Sequence, residues 1–106
     1  MQRLTRLSKI LQYLGALYGN AGYHDKSLIY FKRALPISKQ ASNEANQKVV
    51  NILLGRAYFS SKQYDSALAC YQEAIRLAEH SGYSRYVGSA YLNSGRIYME
   101  LGDHQR

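Results

Sequence analysis

The chain is poor in the residues that staple or break a fold. It holds one cysteine, one proline and no tryptophan among 106 residues. With Cys70 alone, an intrachain disulfide is impossible and a metal site built on several thiolates is excluded. A lone cysteine on a helical stretch reads as a small packing residue rather than a nucleophile, and a reducing, cytoplasmic setting is the expectation. No apolar run reaches the roughly 20 residues that span a bilayer. The start, Met1-Gln2-Arg3-Leu4-Thr5-Arg6, has a positive flank but no apolar stretch or small-residue cleavage site, against a secretory signal. Acids are scarce, seven against 14 Lys and Arg, and they are scattered, with no pair placed for acid–base work. No H-E-x-x-H, G-x-S-x-G or phosphate-cradling glycine loop occurs. No histidine has a second ligand at metal spacing. His24 and His104 stand two periods apart, with Tyr64 in the same place between them, and read as ring-for-ring packing replacements. His80 stands near a helix end, where a cation suits the dipole. The chain reads as a non-enzyme, with no cofactor or metal implied.

What the chain has is a repeat. Leu14-Gly15-Ala16-Leu17-Tyr18 returns 40 residues later as Leu54-Gly55-Arg56-Ala57-Tyr58, and again, weakened, as Ser94-Gly95-Arg96-Ile97-Tyr98. A fixed period of this size is the signature of stacked repeat units. The apolar pattern within each unit is helical. Leu7, Ile10, Leu11, Leu14 and Tyr18 fall at three- and four-residue steps and predict a helix over 4–20. Gly22 suits a left-handed helix end and Asp25 a cap for the next helix, which carries Leu28, Phe31, Ala34, Leu35 and Ile37 to about Gln40. Pro36 inside it predicts a kink or an early end. Further helices are expected over 44–61, 65–80 and 84–101, the last ending at a Leu101-Gly102-Asp103 turn. That makes five helices, no strand, and connections of three to five residues that favour antiparallel neighbours.

Charge is unevenly spread. Residues 1–40 hold seven basic residues (Arg3, Arg6, Lys9, Lys26, Lys32, Arg33, Lys39) against one acid. Residues 41–80 hold four of each sign, and residues 81–106 three against two. The basic first unit would attract an acidic protein, nucleic acid or anionic lipid, or is simply a solvated outer face. A basic surface with tyrosines suits single-stranded nucleic acid, but the charge fades after the first unit, against a continuous track.

The spacing resembles the tetratricopeptide repeat, whose signature runs W-x2-L-G-x2-Y, a glycine turn, then A-x3-F and a further alanine. Leu11, Leu14, Gly15 and Tyr18, then Ser27, Phe31 and Ala34, stand at these places in the first unit. Asn51, Leu54, Gly55 and Tyr58, then Ala67, Tyr71 and Ala74, stand there in the second. Tyr91, Ser94, Gly95 and Tyr98 stand there in a closing half unit. Asn51 departs from the aromatic first position. So does the period, 40 rather than 34, which is similar to the long-repeat branch known from polarity adaptors and from bacterial regulator arrays. The resemblance implies an all-α, right-handed superhelical stack of helix-turn-helix units over 8–47 and 48–87 with a half unit over 88–106. The three glycines and the alanines opposite them would let helices approach, and the three tyrosines would fill the space against the next unit. The chain stops where a sixth helix is expected and reads as a stretch of a longer array. Ser94, replacing leucine on the side expected to meet that helix, mildly favours a terminal cap instead.

The family's implied role is to hold a partner protein, with the first helix of each unit lining a concave groove. At 100° per residue, Arg56 lies about 200° from Leu54. Ile52, Arg56 and Phe59 therefore form one stripe, and Leu92, Arg96 and Met99 repeat it one period later. The first unit offers Gln12, Ala16 and Gly19, with Lys9 and Tyr13 beside them. Apolar residues around an arginine fork suit acidic side chains or a carboxyl terminus, and Asn93 would hold a partner's backbone. Two other readings stay open. Neighbouring first helices would hide Ile52 and Leu92 by packing together, with Glu100 pairing to Arg96. Alternatively, the open ends would stack on the same protein.

Overall fold

The computed structural model describes residues 2–82 and 85–105. Five helices follow one another: α1 (Gln2–Asn20), α2 (His24–Gln40), α3 (Glu44–Ser60), α4 (Tyr64–Ser81) and α5 (Arg85–Gln105). No strand occurs among the described residues. Three-residue turns join the first four helices, so consecutive helices run antiparallel as hairpins.

The three turns close in one way. A left-handed residue follows each helix, Gly22, Ser42 and Lys62, with φ of 91°, 54° and 61°. The next amide then reaches back five residues, Tyr23 to Tyr18, Asn43 to Ser38 and Gln63 to Tyr58. This closure satisfies carbonyls that a helix end would otherwise leave bare. Only the first turn uses glycine there. Asn43 caps α3 by accepting from the Asn46 amide at 3.0 Å. Asp25 does not cap α2, because the helix already begins at His24 and Asp25 lies in its first turn.

Two expected helix ends do not occur. Of the kink or early end expected at Pro36, the early end is absent, since α2 runs on to Gln40; the proline lies on the exposed side, where solvent can satisfy the carbonyl it leaves unbonded. Likewise, α5 passes through Gly102 and continues to Gln105, with no turn at Gly102-Asp103. A helix tolerates an interior glycine at a cost of only about 1 kcal/mol.

The hairpins are closed by aromatic rings laid on glycines. A Cβ at Gly15 would come within 2.5 Å of the Phe31 ring, and one at Gly55 within 2.5 Å of the Tyr71 ring. Glycine is required at both positions because the ring occupies that space. Around these contacts sit two apolar clusters. Leu28, Phe31, Ala34, Val50 and Leu54 join α2 to α3. Ile52, Ala67, Tyr71, Ala74, Ala78, Val87, Ala90 and Ile97 join α3, α4 and α5. The same position of the third unit, Gly95, meets nothing within 4 Å. Leu54 packs onto α2 in the first of these clusters. The Oγ of its counterpart Ser94 is buried without a hydrogen-bond partner among the described residues.

The first helices form one layer, α1 touching α3 and α3 touching α5, and each later first helix also packs on the second helix of the unit before it, α3 on α2 and α5 on α4. The backbones of α2 and α4 do not approach each other among the described residues.

Candidate functional site

Between α1 and α3 runs a depression of about 330 Å³, lined by Lys9, Gln12, Tyr13 and Ala16 from one helix and by Asn46, Val49, Ile52, Leu53 and Arg56 from the other. A second hollow of about 380 Å³ shares Ala16, Leu53 and Arg56 with it and continues past Gly19 to His24 and Ser60. Arg56 stands where the two meet. Together they make a furrow along the first-helix layer with Lys9 near one end and His24 near the other. Its lining includes basic and apolar side chains and no acid.

The furrow's floor is held from below by a buried polar cluster. Asn46 Oδ1 lies 2.8 Å from Ser8 Oγ and within hydrogen-bond distance of Ser38 Oγ, and it accepts from Gln12 Nε2 at 3.2 Å. Ser8 Oγ and Ser38 Oγ lie 2.7 Å apart and both reach the Ala34 carbonyl, so the two hydroxyl protons are shared among these acceptors. Each buried polar atom here has a partner, as burial demands. The cluster ties α1, α2 and α3 at one point. None of these residues stood out in the sequence as more than a surface polar residue.

The expected site residues separate into two groups. Lys9, Tyr13, Ile52 and Arg56 do come together in the furrow. Tyr13 is 73% exposed, and neither Lys9 nor Arg56 has an ion pair or hydrogen bond among the described residues. Ile52, however, is only 1% exposed, packed in the α3–α4–α5 cluster, so it is core rather than an open contact surface. Phe59 is half-buried with its ring 5.7 Å from Tyr64. The α5 group lies outside the furrow. Leu92 and Met99 are exposed, so the packing that hides Ile52 does not hide Leu92. Arg96 is exposed and reaches Asn93 at 3.5 Å rather than pairing with Glu100. Asn93 is half-buried and donates one of its amide hydrogens to the Tyr71 hydroxyl at 3.0 Å. Arg56 thus lines the furrow and Arg96 does not.

Other groups are occupied within the fold. Burial raises the Tyr71 phenol above its ordinary pKa, while the Asn93 bond and the Arg56 charge oppose that rise. Burial also pushes the Cys70 thiol up to about 11, consistent with a packing role and not with a reactive thiolate. His24 is exposed at the start of α2, so it does not repeat the half-buried packing of Tyr64; the side chain of His104 lies outside the described residues. Part of the basic first unit is spent on neighbouring rings, two of its own and one of the second unit. Lys26 lies 5.3 Å from the Tyr18 centroid, Arg33 5.8 Å from Tyr30 and Lys32 5.7 Å from Tyr58, with Tyr18 and Tyr30 stacked at 5.4 Å. No group of three or more metal-ligating side chains occurs among the described residues, and no helix is long and apolar enough to cross a membrane.

Antiparallel hairpins repeated at a fixed period, with a furrow along one layer and no assembled reactive groups, define a helical-repeat protein. The tetratricopeptide repeat family model matches residues 6–80 and again 49–106, and the chain belongs to that family. Such repeats are generally protein–protein interaction modules. No curated protein matches the sequence.

Proposed function

We propose that the chain is a protein-binding scaffold whose α1–α3 furrow takes an acidic, extended segment of a partner protein. The observation that carries this reading is the pair of uncommitted cations, Lys9 and Arg56, facing a furrow that no acid lines. Tyr13 supplies an exposed ring beside them, and Val49 and Leu53 an apolar wall. A carboxylate entering there would meet an arginine fork whose surroundings are partly apolar, which strengthens the charge-assisted bond.

Selection from a random peptide library, followed by fluorescence anisotropy on the selected peptides, tests this. The selected sequences are expected to be rich in Asp and Glu, and Lys9→Glu/Arg56→Glu is expected to weaken them by at least about tenfold while circular dichroism stays unchanged. Acid-free ligands, or binding indifferent to the double variant, would overturn the furrow reading.

A further inference from the structure

The first two hairpins differ at one corner, where the first helix of each unit turns into the second. In the second unit that corner is filled by rings. Phe59 and Tyr64 stand 5.7 Å apart, tilted by 50°, and both pack on the α3–α4–α5 cluster. One period earlier the same two places hold Gly19 and His24. Glycine offers no side chain, and His24 is exposed rather than folded inward. The corner is accordingly open: here lies the hollow of about 380 Å³ that continues the furrow past Arg56. Phe31, Leu53 and Ala57 give it apolar walls, while the exposed Asn20, His24 and Ser60 give it a polar rim.

We infer that this hollow seats an aromatic side chain of the partner segment, in the place that Phe59 takes in the second unit. This rests on the furrow reading above, and it makes the ligand an acidic segment with a ring close to its acid. The chain supplies the template for the occupant, since its own second unit closes the equivalent space with a phenylalanine against a tyrosine. His24 stands where Tyr64 stands and can meet the incoming ring as Tyr64 meets Phe59. The apolar walls suit the body of a ring, and the rim suits a phenol, so tyrosine fits as well as phenylalanine. Arg56 lines both hollows, which puts the cation and the ring seat side by side. In an extended segment, side chains two places apart point to the same side. The acid that meets Arg56 and the ring that enters the hollow are therefore two places apart in the partner.

The first unit is also shaped against closing the corner itself. A Cβ at Gly19 would lie 3.1 Å from Ser27 Oγ, whereas the counterpart of Ser27 is Ala67, which carries no hydroxyl. Three letters thus separate an open corner from a filled one, namely Gly19, His24 and Ser27 against Phe59, Tyr64 and Ala67.

Fluorescence anisotropy with two labelled peptide pools tests the inference. Both pools have Glu fixed at the centre; at two places to either side, one pool has Phe and the other Ala. The wild type is expected to bind the Phe pool at least about tenfold more tightly than the Ala pool. Gly19→Phe/His24→Tyr/Ser27→Ala copies the second unit's corner and is expected to bind both pools alike, at the strength the wild type shows for the Ala pool. Should that triple variant melt well below the wild type, Ala16→Leu narrows the same hollow from a half-buried helix position and is expected to cut the Phe preference at least about threefold. Equal binding of the two pools by the wild type overturns the inference, as does a Phe preference that survives filling of the corner. The furrow reading fails separately: if neither pool binds, or if Lys9→Glu/Arg56→Glu leaves both unchanged, that reading falls and the ring seat with it.

Discussion

Between the first and second units, the helices are tied by Ser8, Gln12, Ser38 and Asn46, a buried polar knot. One period later, the places of Ser8, Gln12 and Ser38 hold Lys48, Ile52 and Ala78, and the last two belong to an apolar cluster. The rings reverse this order. Phe31 and Leu53 make an apolar contact at the first junction, while Tyr71 and Asn93, their period counterparts, share a hydrogen bond at the second. Lys48, 6% exposed, sends its amine 34 residues along the chain to the Gly82 carbonyl at 2.6 Å. The backbone plan is thus common to both junctions, and the polar anchor is local to each. A unit shifted by one period would set Asn46 beside Ile52 and Ala78 and leave Gln12 without its Asn46 acceptor. The polar anchor therefore favours the native pairing of helices at the first junction.

The comparison can be broken most severely at the glycines. Gly55→Ala drives a methyl into the fully buried Tyr71 ring and is expected to cost about 3 kcal/mol in urea unfolding. Gly95→Ala, facing open space, is expected to gain about 0.5–1 kcal/mol. Equal effects at the two positions would show that the ring contact does not close the hairpin. Next comes the polar knot. Asn46→Ala removes the acceptor shared by Ser8, Gln12 and Ser38 and is expected to cost about 2 kcal/mol. In a cycle with Ser38→Ala, coupling beyond about 0.5 kcal/mol is expected, and strict additivity would mean that the knot does not act as a unit. The smallest effect is expected at the second junction's hydrogen bond. Tyr71→Phe should cost about 1 kcal/mol, and adding Asn93→Leu, which copies the Phe31–Leu53 pair, should recover most of it. A double variant less stable than Tyr71→Phe would show that the two junctions are not interchangeable even at their rings.

The helices and the close approach at Gly15 and Gly55 were legible because a 3.6-residue pattern and a 40-residue period both leave their mark on nearby letters, but the Phe31 and Tyr71 rings that lie on those glycines, where alanines were expected, were not. The three turns were legible in position, though only Gly22 announces its left-handed backbone; Ser42 and Lys62 adopt it because the reach-back hydrogen bonds hold them there. Half of the candidate site was legible too, since angular position alone puts Arg56 away from the Leu54 side. The same angle misjudged Ile52, because it cannot report how closely α5 approaches α3. The polar knot was hidden for a related reason. Ser8 and Asn46 lie 38 residues apart, and serine, glutamine and asparagine on helices look like solvent-facing residues until a third helix covers them.

The arrangement of the helix layers also has a mechanical meaning. Each later unit's first helix packs against both helices of the unit before it, α3 against α1 and α2, and α5 against α3 and α4. Every unit is thus seated in the cleft of its predecessor, like one stacked chair in the next. Opening the stack at a junction means lifting a whole helix off two neighbours at once, so strain applied at one end is passed on to the next unit rather than absorbed at a single hinge.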